Sequence, residues 1–217
     1  MTSRTEECLM ATQSAPAGIT KRRVPLRKPM TPEDLADARV REALGETGRC
    51  EWAQRHEGLM RYHDDVWGER PADDSEFFER MLLEIFHAGL SWTLIWNKHQ
   101  GIRNAYDGFD VNAVAAYGSA DIARLLDDPN VIRSERKIVA AIENARTVQE
   151  IQDRDGSFQD FLLGLPTSTN AKINALKKTF KFMGPGTSRG FLESTGLVAP
   201  PHHDYCFKAD RDIWSAA

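Results

Sequence analysis

The sequence predicts an all-α fold, and three observations predict it. Apolar residues recur at helical spacing wherever the chain is clearly patterned. Nowhere do two adjacent stretches show the strict apolar/polar alternation of paired strands. Residues suited to helix ends fall where the periodic segments begin and stop: Ser134 and Ser157 as N-caps, Gly196 as a terminator.

In chain order, Thr31-Pro32-Glu33-Asp34 looks like an N-cap with proline at the first helical position, opening a helix over 31–44. That helix belongs to a basic, largely flexible extension, residues 1–47, whose first 30 residues read as a tail. The 10 Phe, 5 Trp and 4 Tyr residues all lie from Trp52 onward. A packed core needs such side chains, so the folded domain is placed at 48–217. Within it, helices are predicted over 75–90, 93–106, 111–117, 120–126, 134–152, 157–163, 171–179 and 187–194. The first is fixed by a stripe of Phe77, Met81, Glu84 and Ala88 at 100° per residue, with Leu82 and Ile85 beside it. No internal repeat of fixed period is visible.

At 217 residues the chain suffices for one well-buried core or two small helical lobes. No run approaches the roughly 18 apolar residues that span a bilayer. The start, Met1 to Glu7, lacks the apolar stretch of a secretory signal. Cys8, Cys50 and Cys206 make an odd count without framework spacing, so a reducing, cytoplasmic setting is expected. The formal net charge of −4 argues, by itself, against a nucleic-acid partner. Its distribution argues the other way. Residues 161–192 contain no acid, yet hold Lys172, Lys177, Lys178, Lys181 and Arg189, and a second basic cluster runs from Lys21 to Lys28.

Four features could carry chemistry. Cys50 and His63 near the domain start are matched by His202 and Cys206 near its end, and zinc in a closed structural site favours thiolate and imidazole ligands. The spacings are not those of a standard finger; the plainer reading is a buried thiol with ordinary histidines, and His56 and His203 are rival ligands. The second feature is Phe180-Lys181-Phe182-Met183-Gly184-Pro185-Gly186, a glycine-containing turn between two helical patterns with Thr187 opening the next. Its backbone N–H groups suit a phosphate, and the plainer reading is a simple connection. Glu84, third, is a carboxylate at the margin of an apolar face: costly unless paired or functional, or else a boundary residue reaching solvent. The aromatic set Trp52, Tyr62, Trp67 and Trp92 can sandwich a planar base, although each alone reads as core.

Read together, these residues resemble the DNA-3-methyladenine glycosylase I family of the helix-hairpin-helix glycosylases. The matching strings are Arg49-Cys50-Glu51-Trp52, Tyr62-His63-Asp64-Asp65-Val66-Trp67-Gly68 and Ala88-Gly89-Leu90-Ser91-Trp92. They continue through Ile132-Arg133, Lys137-Ile138, Asn144-Ala145-Arg146, Pro166-Thr167-Ser168, Phe180 to Pro185 and Thr195-Gly196-Leu197-Val198, covering about 48–207. The resemblance implies a two-lobed helical fold, a base pocket between the lobes, and a structural zinc on Cys50, His63, His202 and Cys206. It implies Glu84 as the base-recognising, catalytic carboxylate and Tyr62, Trp67, Trp92 and Trp52 around the base. The DNA-anchoring hairpin falls on Lys181, Phe182, Gly184, Gly186 and Thr187. The expected partner is double-stranded alkylated DNA, with no membrane or obligatory protein partner, and the chain is expected to be a monomer.

The chain departs from the family pattern at Ile85, Phe86 and His87, where small residues and a glutamine are usual, and at Arg189, where a tyrosine is common. His87 is therefore expected beside the base. Asp204, the one aspartate near the spacing used for catalysis by wider relatives, is expected to be taken up in the zinc loop. A DNA-binding module that has lost excision, and a zinc-stabilised interaction protein, are the readings from other classes. Release of a methylated base separates the enzyme from both.

Overall fold

The computed structural model describes residues 48–209. The predicted helix over 31–44, the Lys21–Lys28 cluster and Cys8 lie outside the described residues. The chain enters through a 3-10 turn, Glu51–Arg55, and the short helix α1 (Glu57–Arg61), which runs directly into one π-helical turn, Tyr62–Val66. Then follow α2 (Asp74–His87), α3 (Trp92–Ala105), a 3-10 turn at Asp107–Phe109, α4 (Val111–Ala115) and α5 (Ser119–Asp127). The long α6 (Glu135–Asp155), α7 (Phe158–Leu163), α8 (Thr169–Thr179) and α9 (Pro185–Ser194) complete the fold. No β-strand occurs among the described residues.

All eight helices expected within the domain are present, with ends moved by local chemistry. α2 stops at His87 because the chain turns at Gly89, whose φ of 80° suits glycine. α9 begins at Pro185, two residues early, since proline at the first helical position forfeits no hydrogen bond. Ser157 caps α7 through the amide of Asp160 at 2.9 Å, as expected. Ser134 stands at the N-cap of α6, but its side chain makes no capping bond. Gly196, with φ 70°, follows the end of α9. The pieces over 51–66 were not anticipated, because their winding changes from 3-10 to α to π within sixteen residues and leaves no common period.

α6 is the post on which the site is hung. Ile138, Ala141, Ile142, Ala145, Val148 and Ile151 form its buried face, joining a core built from Phe77, Met81 and Ile85 of α2, Phe158 of α7 and Phe191 of α9. Two polar side chains of α6 are buried with them. Lys137 Nζ donates to the carbonyls of Phe86 (2.8 Å) and Ala88 (2.7 Å), satisfying groups that the end of α2 leaves open. Asn144 Nδ2 donates to the carbonyl of Lys181 (3.0 Å), and its Oδ1 accepts from the Lys181 amide (2.7 Å). One helix thus fixes both the end of α2 and the turn between α8 and α9. A smaller cluster of Cys50, Tyr62, Trp67 and Cys206, with Trp52, Trp92 and Trp96 against it, holds the first and last described segments together.

Candidate active site and metal centre

The end of α2, one side of α9, the start of α3 and the segment 52–67 enclose a cleft of about 640 Å3. Trp52, Tyr62, Trp67, Glu84, His87 and Trp92 line it, and Gly184, Pro185, Gly186, Thr187, Arg189, Gly190 and Glu193 form its other wall. Carboxylate, aromatic set and three hairpin residues, far apart in sequence, therefore share one space. The π turn helps to explain how: its wider winding carries Tyr62 and His63 on successive positions, both buried, one toward the cleft and one toward the Cys/His cluster.

The aromatic rings interlock. Tyr62 and Trp92 stack with centroids 5.1 Å apart and planes at 27°, while Trp52 meets Trp67 edge-on at 5.0 Å. His87, at the last position of α2, stacks on Trp92 at 4.6 Å and 24°. Arg80 Nη1 donates to the carbonyls of Val66, Glu69 and Ser194, tying the segment after the π turn to the end of α9.

Glu84 is 6% exposed. Burial pushes its pKa above the usual carboxylate range, and His87, with Nδ1 3.8 Å from Oε2, offsets part of that. At 3.8 Å the contact is an electrostatic one, too long for a hydrogen bond. Glu193 is also raised by burial; Arg189, 3.8 Å away, opposes this, and the charge of Glu84 adds to it. The cleft thus holds two carboxylates, each facing a loosely held side chain.

The carboxylate of Glu84 lies directly against the backbone of α9. A Cβ placed on Gly190 would stand 2.5 Å from Glu84 Oε2 and 2.8 Å from its Cδ. Gly190 and Glu193 were missed from sequence. A glycine inside a helix, where alanine is intrinsically better by about 1 kcal/mol, was the available signal for the first.

The hairpin residues divide. Gly184, Gly186 and Thr187 line the cleft, whereas Lys181 and Phe182 border a separate hollow with Glu135, Arg136 and Val139 of α6. Phe182 takes φ 62°, packs partly on the core, and has Arg136 and Lys137 near its ring. Of the basic window, Lys177, Lys178, Lys181 and Arg189 are exposed, but Lys172 Nζ is engaged by the Leu197 carbonyl at 2.9 Å.

On the far side of Tyr62 and Trp67, Cys50, His63, His202 and Cys206 bring their ligand atoms within 4.8 Å of one another, close enough to hold a metal. Cys50 Sγ is 3.6 Å from His202 Nδ1; Cys206 Sγ is 3.5 Å from the same nitrogen and 3.3 Å from His63 Nε2. Thiolate and imidazole ligands of one tetrahedral ion, at about 2.3 and 2.0 Å from it, stand about 3.5 Å apart. The donor set fits. His63 Nδ1 lies 2.9 Å from Asp64 Oδ1, a carboxylate of the kind that orients a ligating imidazole, and Arg49 pairs with that carboxylate at 2.7 Å. The amide of His203 donates to Cys50 Sγ. The two rival ligands are otherwise placed: His56 caps α1 through the Gly58 amide at 3.0 Å, and the exposed His203 ring stacks on Tyr205. Asp204 is exposed in the same loop and is not among the residues lining the cleft.

The family described as methyladenine glycosylase matches residues 52–176. DNA-3-methyladenine glycosylase 1 of Escherichia coli (strain K12) is 35% identical over 170 residues, which covers 69% of this chain and 91% of that protein. A crystal structure of 3-methyladenine DNA glycosylase I is similar with a TM-score of 0.67 at 34% identity, over 73% of this chain and 98% of the other. A structure describing 3-methyladenine recognition by the Staphylococcus aureus glycosylase I gives 0.68 at 29% identity, over 76% and 97%.

Proposed function

The chain belongs to the methyladenine glycosylase family, and on that premise we propose that it is a DNA base-excision repair enzyme hydrolysing the N-glycosidic bond of 3-methyladenine in alkylated double-stranded DNA. One observation carries the reading: a buried carboxylate, aromatic faces and the turn between two helices converge on one cleft of about 640 Å3.

Methylation at N3 leaves the base cationic and weakens its glycosidic bond, so the leaving group needs no strong acid. The nucleotide is flipped out, which costs a few kcal/mol and less for a damaged base. Tyr62, Trp92, Trp52 and Trp67 supply faces and edges around the purine. Ionised Glu84 faces its positive charge and accepts from the exocyclic amine, so neutral adenine is held less well. As the C1′–N9 bond breaks, its electron pair returns to the base and cancels that charge. Water adds to C1′ and loses its proton to solvent. The attraction to Glu84 is therefore greatest before cleavage and fades in the product, which assigns the carboxylate to recognition and positioning of the base and assists release afterwards.

The α8–α9 pair is read as the helix-hairpin-helix that anchors the duplex, with the cleft between two helical lobes. Gly184, Gly186 and Thr187 offer the first amides of α9 to a phosphate, with Lys181 and Phe182 flanking. The Cys50, His63, His202 and Cys206 cluster is read as a structural zinc site, contributing folding energy and no step of the reaction. The test is incubation of methylated duplex with the protein and chromatography of the released bases. Free 3-methyladenine is expected; release of none would overturn the reading.

A further inference from the structure

His87 has the two contacts a base would make. Its imidazole is stacked on Trp92, and its Nδ1 faces Glu84 Oε2 at 3.8 Å. A flipped methylated purine needs those same partners, a ring face to stack on and a carboxylate opposite its charge or amine. Building on the function proposed above, we infer that His87 is a stand-in for the base: in the free protein its ring occupies the purine's place, and every ligand must displace it.

The geometry suits a side chain that leaves and returns. The 3.8 Å separation means no hydrogen bond holds the imidazole, and 30% of the side chain is exposed. It sits on the last residue of α2, where the helix gives way to the turn at Gly89. A buried carboxylate without a partner is costly, and the His87 imidazole is the basic group that faces Glu84. Of the carboxylate's other neighbours, Tyr62 offers only an uncharged hydroxyl, Glu193 carries like charge, and Gly190 has no side chain.

The consequence is a tax on binding, the same for every purine, because displacing His87 costs the same whatever replaces it. Discrimination between the cationic methylated nucleotide and neutral adenine in DNA stays with Glu84. What His87 sets is the level of affinity: ordinary bases fall below useful occupancy, and the returning ring helps to expel the product.

The test is calorimetric titration of the full chain with free 3-methyladenine and with adenine, in wild type, His87→Ala and His87→Gln, each checked for normal thermal unfolding. His87→Ala is expected to bind both purines about fivefold tighter, the worth of one aromatic pair, with their ratio unchanged. His87→Gln, which lacks the stacking ring, should move the same way by a smaller factor. Product inhibition of excision by 3-methyladenine should strengthen in parallel. If His87 is instead a fixed wall of the pocket, both variants bind more weakly; that result, or unchanged affinity, overturns the inference while leaving wild-type excision intact. A wild type that neither binds 3-methyladenine nor releases it from methylated DNA removes the functional reading and this inference together.

Discussion

Glu84 was legible as an anomaly, a carboxylate on the stripe of Phe77 and Met81, but periodicity could not tell whether its head reaches solvent. What covers it is Gly190, more than a hundred residues later, and such a contact leaves no local trace in sequence. Because burial raises the pKa, the folded protein favours the protonated acid relative to the unfolded chain. That contribution is present below the unfolded pKa and is lost as pH rises through the folded one. At neutral pH the ionised group therefore weighs against the fold. Glu84→Gln should raise the melting midpoint near neutrality, by roughly 2–4 °C per kcal/mol relieved, with the wild-type and variant curves converging in acid. For the same reason the acid limb of the wild-type kcat/KM profile should lie above the pKa of about 4.3 of an exposed glutamate. Gly190→Ala separates stability from function in another way. Alanine suits the helix better by about 1 kcal/mol, and the atoms it would strike are the movable end of Glu84. Unfolding should stay near normal while excision falls at least tenfold; equal loss of both would mean that Gly190 serves packing alone.

The eight helices expected in the domain are there, the five-residue α4 among them. The pieces over 51–66, which carry Trp52, Tyr62 and His63, were not anticipated: 3-10, α and π turns in succession share no common period to detect. The turn between α8 and α9 was readable as a turn but not as two halves. Its cleft-facing half is Gly184 to Thr187, while Lys181 is held by Asn144 of α6 through paired amide bonds and projects elsewhere. If that exposed lysine meets the DNA backbone, Lys181→Ala weakens duplex binding uniformly across sequences. The slope of log K against log salt should flatten by about one. An unchanged slope, measured by fluorescence anisotropy over a salt series, would place the phosphate contacts on other groups.

Over the whole described chain, the Cys/His cluster joins residues 50 and 63 to residues 202 and 206, so one site closes a loop of most of the domain. The ligand set came from the resemblance; spacing alone left His56 and His203 open, and their engagement in a helix cap and a ring stack could not be read from sequence. Metal analysis of the purified protein should find close to one zinc per chain. Cys50→Ser should lower the melting midpoint far more than it lowers affinity for a methylated base, since a closed site contributes folding energy. Full stability in strong chelator with no metal found would refute the site. The central claim is that this cleft excises a cationic methylated purine through the charge of Glu84. Its most direct test is side-by-side chromatography of bases released from methylated duplex by wild type and by Glu84→Gln, with binding to undamaged duplex measured on the same samples. The account predicts 3-methyladenine release by wild type, a loss of at least tenfold in the variant, and undamaged binding nearly equal in both. Full release by Glu84→Gln would contradict it.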